Sequence, residues 1–558
     1  MKNKYIEFME LALSAYSTEH IVRYFDDVKR DGLTEHGFPR LTSNIGILIA
    51  EGRRLDLVPL FLQMMDFCCK DIPRGKAAND FSVREIINCI RAVEKSGAVD
   101  SERIAEWKSH IASIDPFVCY DVYAKDPADP VKNWALFTGV SEYFRQSEGL
   151  GGDTEFIETQ LESQLKWLDE NGMYMDAKGD VHQPMVYDLV PRGLFAMILN
   201  EGYRGKHYAA IDECVRKSAL LTLKMQSPSG ELAFGGRSNQ FIHNEAWLCV
   251  IYEYEAKRYA REGNLSMAKK FKAARKRALE AAEYWLNKKP IYHIKNRFPT
   301  ETKYGCEQYA YFDKYMITAA SFFHAAYLIA DDSIETSDER DTDPCAFATS
   351  YHFHKLFLKA GGYGAEIELN GDSHYDASGL GRVHREGAPS AICMSTPCPS
   401  HPNFAVDIED PTALSICPGV FRDGKWSFAL DEDAKYETVS YGTDEASALA
   451  TLKAALSCGE TLTSGYKVSS DGVEVRVEGC GEVALMLPAF LFDGENYSEI
   501  KCGGSTLSIF YEGYECRYTV DGEILDGDRI SAGRNGHYKA YYAKAKECLN
   551  VKIEIFKA

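Results

Sequence analysis

The spacing of apolar residues changes once along this chain, and that change dictates what it can fold into. From Tyr5 to about Ala330 apolar side chains recur at i, i+3, i+4 and i+7, as in Leu55, Leu57, Leu60, Phe61, Met64 and Met65. That is the pattern of amphipathic helices packed on a core. Glycines and prolines such as Gly97, Gly172, Gly202 and Pro228 break it into about a dozen segments. After Pro344 the period becomes two, in Glu366-Ile-Glu-Leu, Val473-Glu-Val-Arg-Val, Leu507-Ser-Ile-Phe-Tyr and Val551-Lys-Ile-Glu-Ile. Asp423-Gly424, Asp471-Gly472, Asp493-Gly494 and Asp521-Gly522 are hairpin-type turns among these strands. Between the two regimes Asp331 to Pro344 is acidic and almost without large apolar residues, as a solvated linker is.

The expected fold is therefore multidomain, α then β. Residues 1–330 form an N-terminal (α/α) toroid, either incomplete or a six-hairpin barrel. Residues 331–344 form the linker, and residues 345–558 an antiparallel β-sandwich. A length of 558 residues also exceeds what one ordinary core accommodates.

Net charge is −20, which disfavours nucleic acid and anionic membrane as partners. An anionic small substrate would need a local basic pocket. No stretch is apolar for long enough to span a bilayer, and Met1 to Ser14 reads as a charged amphipathic helix rather than a signal peptide. The sixteen cysteines are scattered without a C-x-x-C pair, as buried reduced thiols are. A cytoplasmic location is expected, and a homo-oligomer is left open. Cys393, Cys398 and His401 lack a fourth ligand at a usual spacing, so no metal is expected there. Phosphate loops, dinucleotide fingerprints and nucleophile elbows are missing, and no cofactor is expected.

Four polar segments stand out: His182 to Asp188, Gly235 to Glu245, Lys303 to Lys314, and Gly371 to Asp376 continuing to Arg385. The second is the densest, with Arg237, Ser238, Asn239, Gln240, His243, Asn244 and Glu245 close together. Burying so many polar groups is costly without partners, so the loop is expected to face a cavity. In a helical ring, loops at one end converge on one mouth.

Two chemistries fit these residues. Hydrolysis of a glycoside requires two carboxyl groups across the scissile bond. Asp188, Glu245, Glu307 and Asp313 are candidates, and Asp188 with Glu307 is the favoured pair, because each lies beside tyrosines. β-Elimination from a uronic acid requires a neutraliser for the sugar carboxylate, a base and an acid. Asn239 suits the first role, His243 or Tyr309 the other two, with His374 as helper. Asn133, Trp134, Tyr187, Arg237, Asn244, Tyr311, Tyr375 and Arg382 are candidates for holding the sugar.

The same segments resemble glycoside hydrolase family 154, which includes β-glucuronidases. Lys132-Asn-Trp134, Asn171-Gly-Met-Tyr-Met-Asp176, Tyr187-Asp188, Gly236-Arg-Ser238, Glu307-Gln-Tyr309, Tyr311 and Lys314 carry that resemblance over about residues 130 to 330. It implies an exo-acting hydrolase of a uronic-acid-containing oligosaccharide. His243-Asn244, Tyr309-Tyr311 and His374 are instead similar in order to heparinase II/III-type lyases, which implies β-elimination on the same toroid-plus-sandwich shape. A glycan-binding protein without catalysis is the third alternative.

Overall fold

The computed structural model describes residues 2–75, 77–122, 133–176, 182–337, 342–400 and 406–558. Among them, fourteen helices precede fifteen strands. The helices are α1 (Lys2–Leu13), α2 (Thr18–Asp31), α3 (Gly37–Ala50), α4 (Val58–Asp71), α5 (Val83–Ser96), α6 (Ser101–Ala112), α7 (Pro116–Cys119), α8 (Asn133–Ser147), α9 (Thr154–Leu165), α10 (Met185–Asn200), α11 (Tyr208–Met225), α12 (His243–Arg261), α13 (Leu265–Leu286) and α14 (Phe312–Ile329).

Six of these pack side by side in a closed ring, in the order α3, α5, α8, α10, α12, α14 and back to α3. They are nearly buried all round: residues 37–49 of α3 are buried without a break, as are Phe195 and Trp247 in α10 and α12. Helices α1, α4, α6, α9, α11 and α13 pack against the ring. Closure places α1 against α14, joining the two ends of the domain. The toroid thus has the six-hairpin form.

The two helix sets differ at their N-termini. Peripheral helices are capped by their own side chains: Ser17 accepts from His20 N–H, Asp100 from Arg103, Asp153 from Phe156 and Asn264 from Met267. The ring helices α3, α5, α10, α12 and α14 have no side-chain cap.

Two helices are shorter than their apolar pattern predicts. The segment Asp153–Glu170 stops being helical at Leu165, because the Asp169 carboxylate takes the N–H groups of Asn171 and Met173 in a tight turn. The segment Gln308–Ala330 becomes helical only at Phe312, leaving Gln308 to Tyr311 as a loop.

The last helix ends at Ile329 and the first strand begins at Cys345. Part of the expected linker, residues 338–341, lies outside the described residues, as do Lys132 and His401. The strands are β1 (Cys345–Ala348), β2 (Lys355–Ala360), β3 (Tyr363–Glu368), β4 (Gly379–Arg385), β5 (Pro418–Arg422), β6 (Lys425–Phe428), β7 (Tyr436–Thr443), β8 (Ala448–Ala455), β9 (Thr461–Ser469), β10 (Gly472–Phe492), β11 (Glu499–Gly503), β12 (Thr506–Tyr511), β13 (Tyr514–Val520), β14 (Glu523–Gly533) and β15 (Gly536–Lys557). A four-stranded sheet, β1-β2-β3-β4, packs on an eleven-stranded sheet built around the long β10–β15 pair. Every strand pair is antiparallel, and Leu356, Leu358, Ile367 and Leu380 meet Val468, Val473 and Val475 in the sandwich core. Asp423 and Gly424 turn β5 into β6 with φ of 50° and 75°, the left-handed pair a two-residue hairpin of this kind requires.

A smaller apolar seam joins the domains, where Met173, Met185 and Met225 of the toroid side meet Phe353 and Phe357. Deeper in, the junction is ionic. Arg382 of β4, paired with Glu366 at 2.9 Å, donates across it to the Leu232 carbonyl and lies 4.0 Å from Glu231, which also meets Lys295. No helix among the described residues is long and apolar enough to cross a membrane.

Candidate active site

All six ring helices begin at the same end of the toroid, and a cavity of about 630 Å³ lies over those beginnings. His36 and Arg40 come from the start of α3, Phe81 from just before α5, and Asn133, Trp134 and Phe137 from α8. Val186 and Tyr187 come from α10, His243 and Trp247 from α12, and Lys314, Tyr315 and Thr318 from α14. The loop Gly236-Arg237-Ser238 forms one wall, with Tyr309 beside it, and Asp372 and Tyr375 of the β domain overhang the rim.

The Gly235–Gln240 wall is wound tightly. Gly235 and Gly236 have φ of 126° and 72°, and Ser238 and Gln240 also lie in the left-handed region at 58° and 67°. A side chain on Gly236 would strike Pro184 at 2.6 Å, so the glycine is required there. Strain of this kind persists only when surrounding contacts impose it. Here Asp376 accepts the Gly236 N–H at 3.0 Å, Glu307 accepts the Ser238 N–H at 2.7 Å, and Asn244 donates to the Ser238 carbonyl.

That winding sets the Ser238 hydroxyl 3.0 Å from the Tyr187 hydroxyl and 2.8 Å from the Tyr309 hydroxyl. The Arg237 guanidinium lies over the Tyr187 ring, 4.5 Å from its centre, and pairs with Asp176. Asp176 in turn accepts from the Asn133 amide at 2.9 Å. The ring of Tyr315 stands between Tyr309 and His243, with centres 6.1 and 5.6 Å away.

Electrostatics follow from burial at the helix starts. Desolvation, with Arg40 adding to it, pushes the His243 imidazole down to about 3, so it is neutral at physiological pH. His36 is pushed well down for the same two reasons. Burial raises the Tyr309 and Tyr315 phenols well above their ordinary value, so both keep their protons. Tyr187 is also raised by burial, but Arg237 over its ring opposes the shift. Burial raises the Asp176 carboxyl too, against the pull of Arg237. Arg40 reaches the cavity while donating to Thr318 at 2.7 Å and pairing with Glu85 at 3.1 Å. Arg40, Arg237 and Lys314 line the cavity together with Asp176 and Asp372; Arg237 is paired with Asp176, and the positive ends of the ring helices add to the cationic side of a chain of net charge −20.

No family model matches the chain, and no curated protein does. Solved structures do resemble it. A heparinase III is similar with a TM-score of 0.44 and 10% identity, over 93% of this chain and 78% of that one. A heparan sulfate lyase HepC mutant from Pedobacter heparinus is similar with a TM-score of 0.44 and 7% identity, over 94% and 76%. A polysaccharide lyase covers 59% of this chain with 96% of its own, at a TM-score of 0.35 and 12% identity. These superpositions are loose, and no residue role is carried over from them.

Of the residues singled out in the sequence, Asn133, Trp134, Tyr187, Arg237, His243, Tyr309 and Tyr375 line the cavity together. The favoured carboxylate pair does not. Asp188 is fully buried one turn into α10, where Arg192 grips both its oxygens and the Tyr174 N–H donates to it at 2.8 Å. Glu307 does not line the cavity, and one of its oxygens accepts from both the Ser238 N–H and Arg534, the latter at 2.8 Å. Glu245 is taken up by Lys295, and Asp313 by His20 at 2.7 Å. Neither member of the expected Asp188–Glu307 acid–base pair lines the cavity.

Five other expected site residues also lie outside the cavity lining. Asn239 is buried and donates to the Ala233 carbonyl at 3.1 Å, so it is not available as a neutraliser. Asn244 braces the wall from behind, and Arg382 belongs to the domain junction. Tyr311 is the exposed N-cap residue of α14, with Lys303 over its ring, and His374 is exposed beside Asp372. Neither lines the cavity.

His36, Arg40 and Tyr315 line the cavity without having been singled out. A signal for the first two existed in Glu35-His-Gly-Phe-Pro-Arg40, a polar helix start like the others. It lies nearly two hundred residues before the Gly235 loop, and only ring closure brings them together.

Proposed function

We propose that this chain is a carbohydrate-active enzyme that cleaves a uronic-acid-containing oligosaccharide by β-elimination. The observation that carries the reading is the make-up of the cavity. Arg40, Lys314 and uncapped helix starts lie beside a neutral imidazole and protonated phenols, and the two carboxylates of the lining are engaged elsewhere, Asp176 by Arg237 and Asn133 and Asp372 by the His374 N–H at the rim.

A uronate entering carboxylate-first is attracted to Arg40 and Lys314. Its charge, partly neutralised there, makes the C5 proton more acidic. The His243 imidazole, a weak base in the free protein, takes that proton once the bound carboxylate offsets the Arg40 charge beside it. The C5 electron pair forms the C4–C5 double bond, and the bond from C4 to the leaving oxygen breaks. Tyr309 gives its proton to that oxygen, and the Ser238 and Tyr187 hydroxyls stabilise the phenolate left behind. His243 and Tyr309 return to their starting states through solvent. Arg237 stacked on Tyr187 supports negative charge on the linked hydroxyls.

The test is incubation with uronic-acid-terminated oligosaccharides. Elimination yields a product with the ultraviolet absorbance of an unsaturated uronate. Release of saturated uronic acid without that absorbance would reject the reading in favour of hydrolysis. Tight binding without turnover of any uronide would leave a glycan-binding protein.

A further inference from the structure

Gly533 and Gly536 pair across the end of β14 and β15, so Arg534 and Asn535 are the two residues of the turn. An arginine at such a tip ordinarily projects into water. Arg534 is instead 0% exposed. The turn inserts between two loops of the toroid, and both of its residues are hydrogen-bonded there. The Asn535 amide donates to the Lys295 carbonyl at 3.2 Å, and the Asn296 amide donates to the Arg534 carbonyl at 3.0 Å.

The guanidinium touches three acceptors on two different loops. It donates to the Gly305 carbonyl at 3.0 Å, the Gly236 carbonyl at 3.2 Å and the Glu307 carboxylate at 2.8 Å. Gly236 immediately precedes the Arg237-Ser238 wall, and Glu307 lies two residues before Tyr309. The same Glu307 oxygen accepts the Ser238 N–H. Gly305, at φ 70°, permits the approach, since a side chain there would come within 2.9 Å of the Arg534 carbonyl. The planar guanidinium fork suits several fixed acceptors at once; an ammonium is a single point charge.

We propose that Arg534 is a positioning residue of the β domain. Acting through Glu307 and the Gly236 carbonyl, it holds Ser238 and Tyr309 at hydrogen-bonding distance. Its effect on turnover rests on the elimination reading above; its effect on the two loops does not. The hairpin tip thereby makes the sandwich part of the machinery that shapes the cavity, although Arg534 itself does not line it.

The test uses the full chain with two variants. Arg534→Lys keeps the charge but cannot span the three acceptors. The double variant Arg534→Met with Glu307→Gln leaves no buried charge unpaired and retains an acceptor for the Ser238 N–H. Amide exchange over 235–240 and 305–309, the thermal midpoint, and kcat and KM on a uronate oligosaccharide are measured for each. Positioning predicts faster exchange confined to those two loops in Arg534→Lys. It also predicts kcat lowered about 10- to 100-fold, as expected for a displaced catalytic group, with KM within about threefold of the parent. The double variant should remain equally slow. Recovery of parental kcat in the double variant would overturn the proposal, because the arginine would then serve only to neutralise Glu307. Exchange that rises throughout the sandwich, with kcat and KM moving together, would overturn it in favour of a plain domain weld. If the parent turns over no uronide, the elimination reading fails, and unaltered exchange in the two loops of Arg534→Lys would still reject positioning.

Discussion

The Tyr309 hydroxyl lies 2.8 Å from the Ser238 hydroxyl, and that contact crosses from the loop before α14 to the strained wall before α12. It links a phenol that keeps its proton to a hydroxyl that also meets Tyr187. Tyr309→Phe removes only the proton donor, from a residue 37% exposed overall whose hydroxyl end is enclosed against Ser238. We expect kcat to fall by about two to four orders of magnitude, the usual worth of a positioned acid, with a thermal midpoint close to that of the parent. Ser238→Ala should cost less, about tenfold, because it removes a partner of the phenol rather than the proton itself. Steady-state kinetics on a uronate oligosaccharide decide both.

His243 carries a distinct pH signature. Burial and Arg40 hold its imidazole near 3 in the free protein. The base is therefore already neutral at pH 5, and kcat/KM should not fall through a midpoint near 6.5 as pH is lowered. His243→Gln should lose about two to four orders of magnitude in kcat. A pH–rate profile with an acid limb centred at ordinary histidine values would count against His243 as the base.

Asp188 separates the elimination reading from hydrolysis by paired carboxylates. Asp188→Asn breaks a fully buried ion pair and strands Arg192, a loss of about 3–5 kcal/mol. Thermal or urea unfolding should detect it. The fraction that remains folded should turn over at a rate within about tenfold of the parent. Intact stability with abolished turnover would return Asp188 to a chemical role.

Lys314 tests anion recognition by the cavity. Lys314→Met is expected to raise KM by about 10- to 100-fold, matching the 1.5–3 kcal/mol of a charged hydrogen bond, while kcat changes little. A neutral glycoside should bind the variant and the parent equally. An unchanged KM for the uronate would remove Lys314 from that role.

Stability should fall with acid. Burial holds His243, His324 and His384 near 3 and His293 near 4, far below the value each has when unfolded. Unfolding then takes up protons between about pH 6.5 and 4, so stability present above that window is lost as pH falls through it. Burial raises Glu255 and Glu368 to about 7, and these act oppositely: the stability they contribute is lost as pH rises from about 4.5 to 7. His36 joins the lowered imidazoles, and Asp80, raised to about 6 by burial, joins the raised carboxyls; with five imidazoles strongly lowered against three carboxyls strongly raised, the thermal midpoint should drop between pH 7 and pH 5. His324→Phe should flatten that slope. A midpoint that rises on acidification would show that the carboxyls dominate.

Local physics made much of the fold legible. The 3.6-residue period marks the helices because a buried helix must present one apolar stripe to its neighbours, and the change to a period of two marks the sandwich for the corresponding reason. Turn chemistry was equally local, as at Asp423-Gly424. The loop at Gly235 stood out through its polar density, and its residues Arg237 and Ser238 do reach the cavity. Tertiary structure alone decided which polar groups are free for chemistry. Asp188 and Glu307 have the residue type of catalytic acids; Arg192, one turn along the same helix, takes up Asp188, and Glu307 is taken up by Arg534 from a β-hairpin more than two hundred residues away, which only the tertiary structure brings near. His36 and Arg40 join the site only because the ring closes and brings α3 beside α14. A sequence states what a side chain is able to do. Its protonation and availability depend on burial and on partners that only the closed fold supplies.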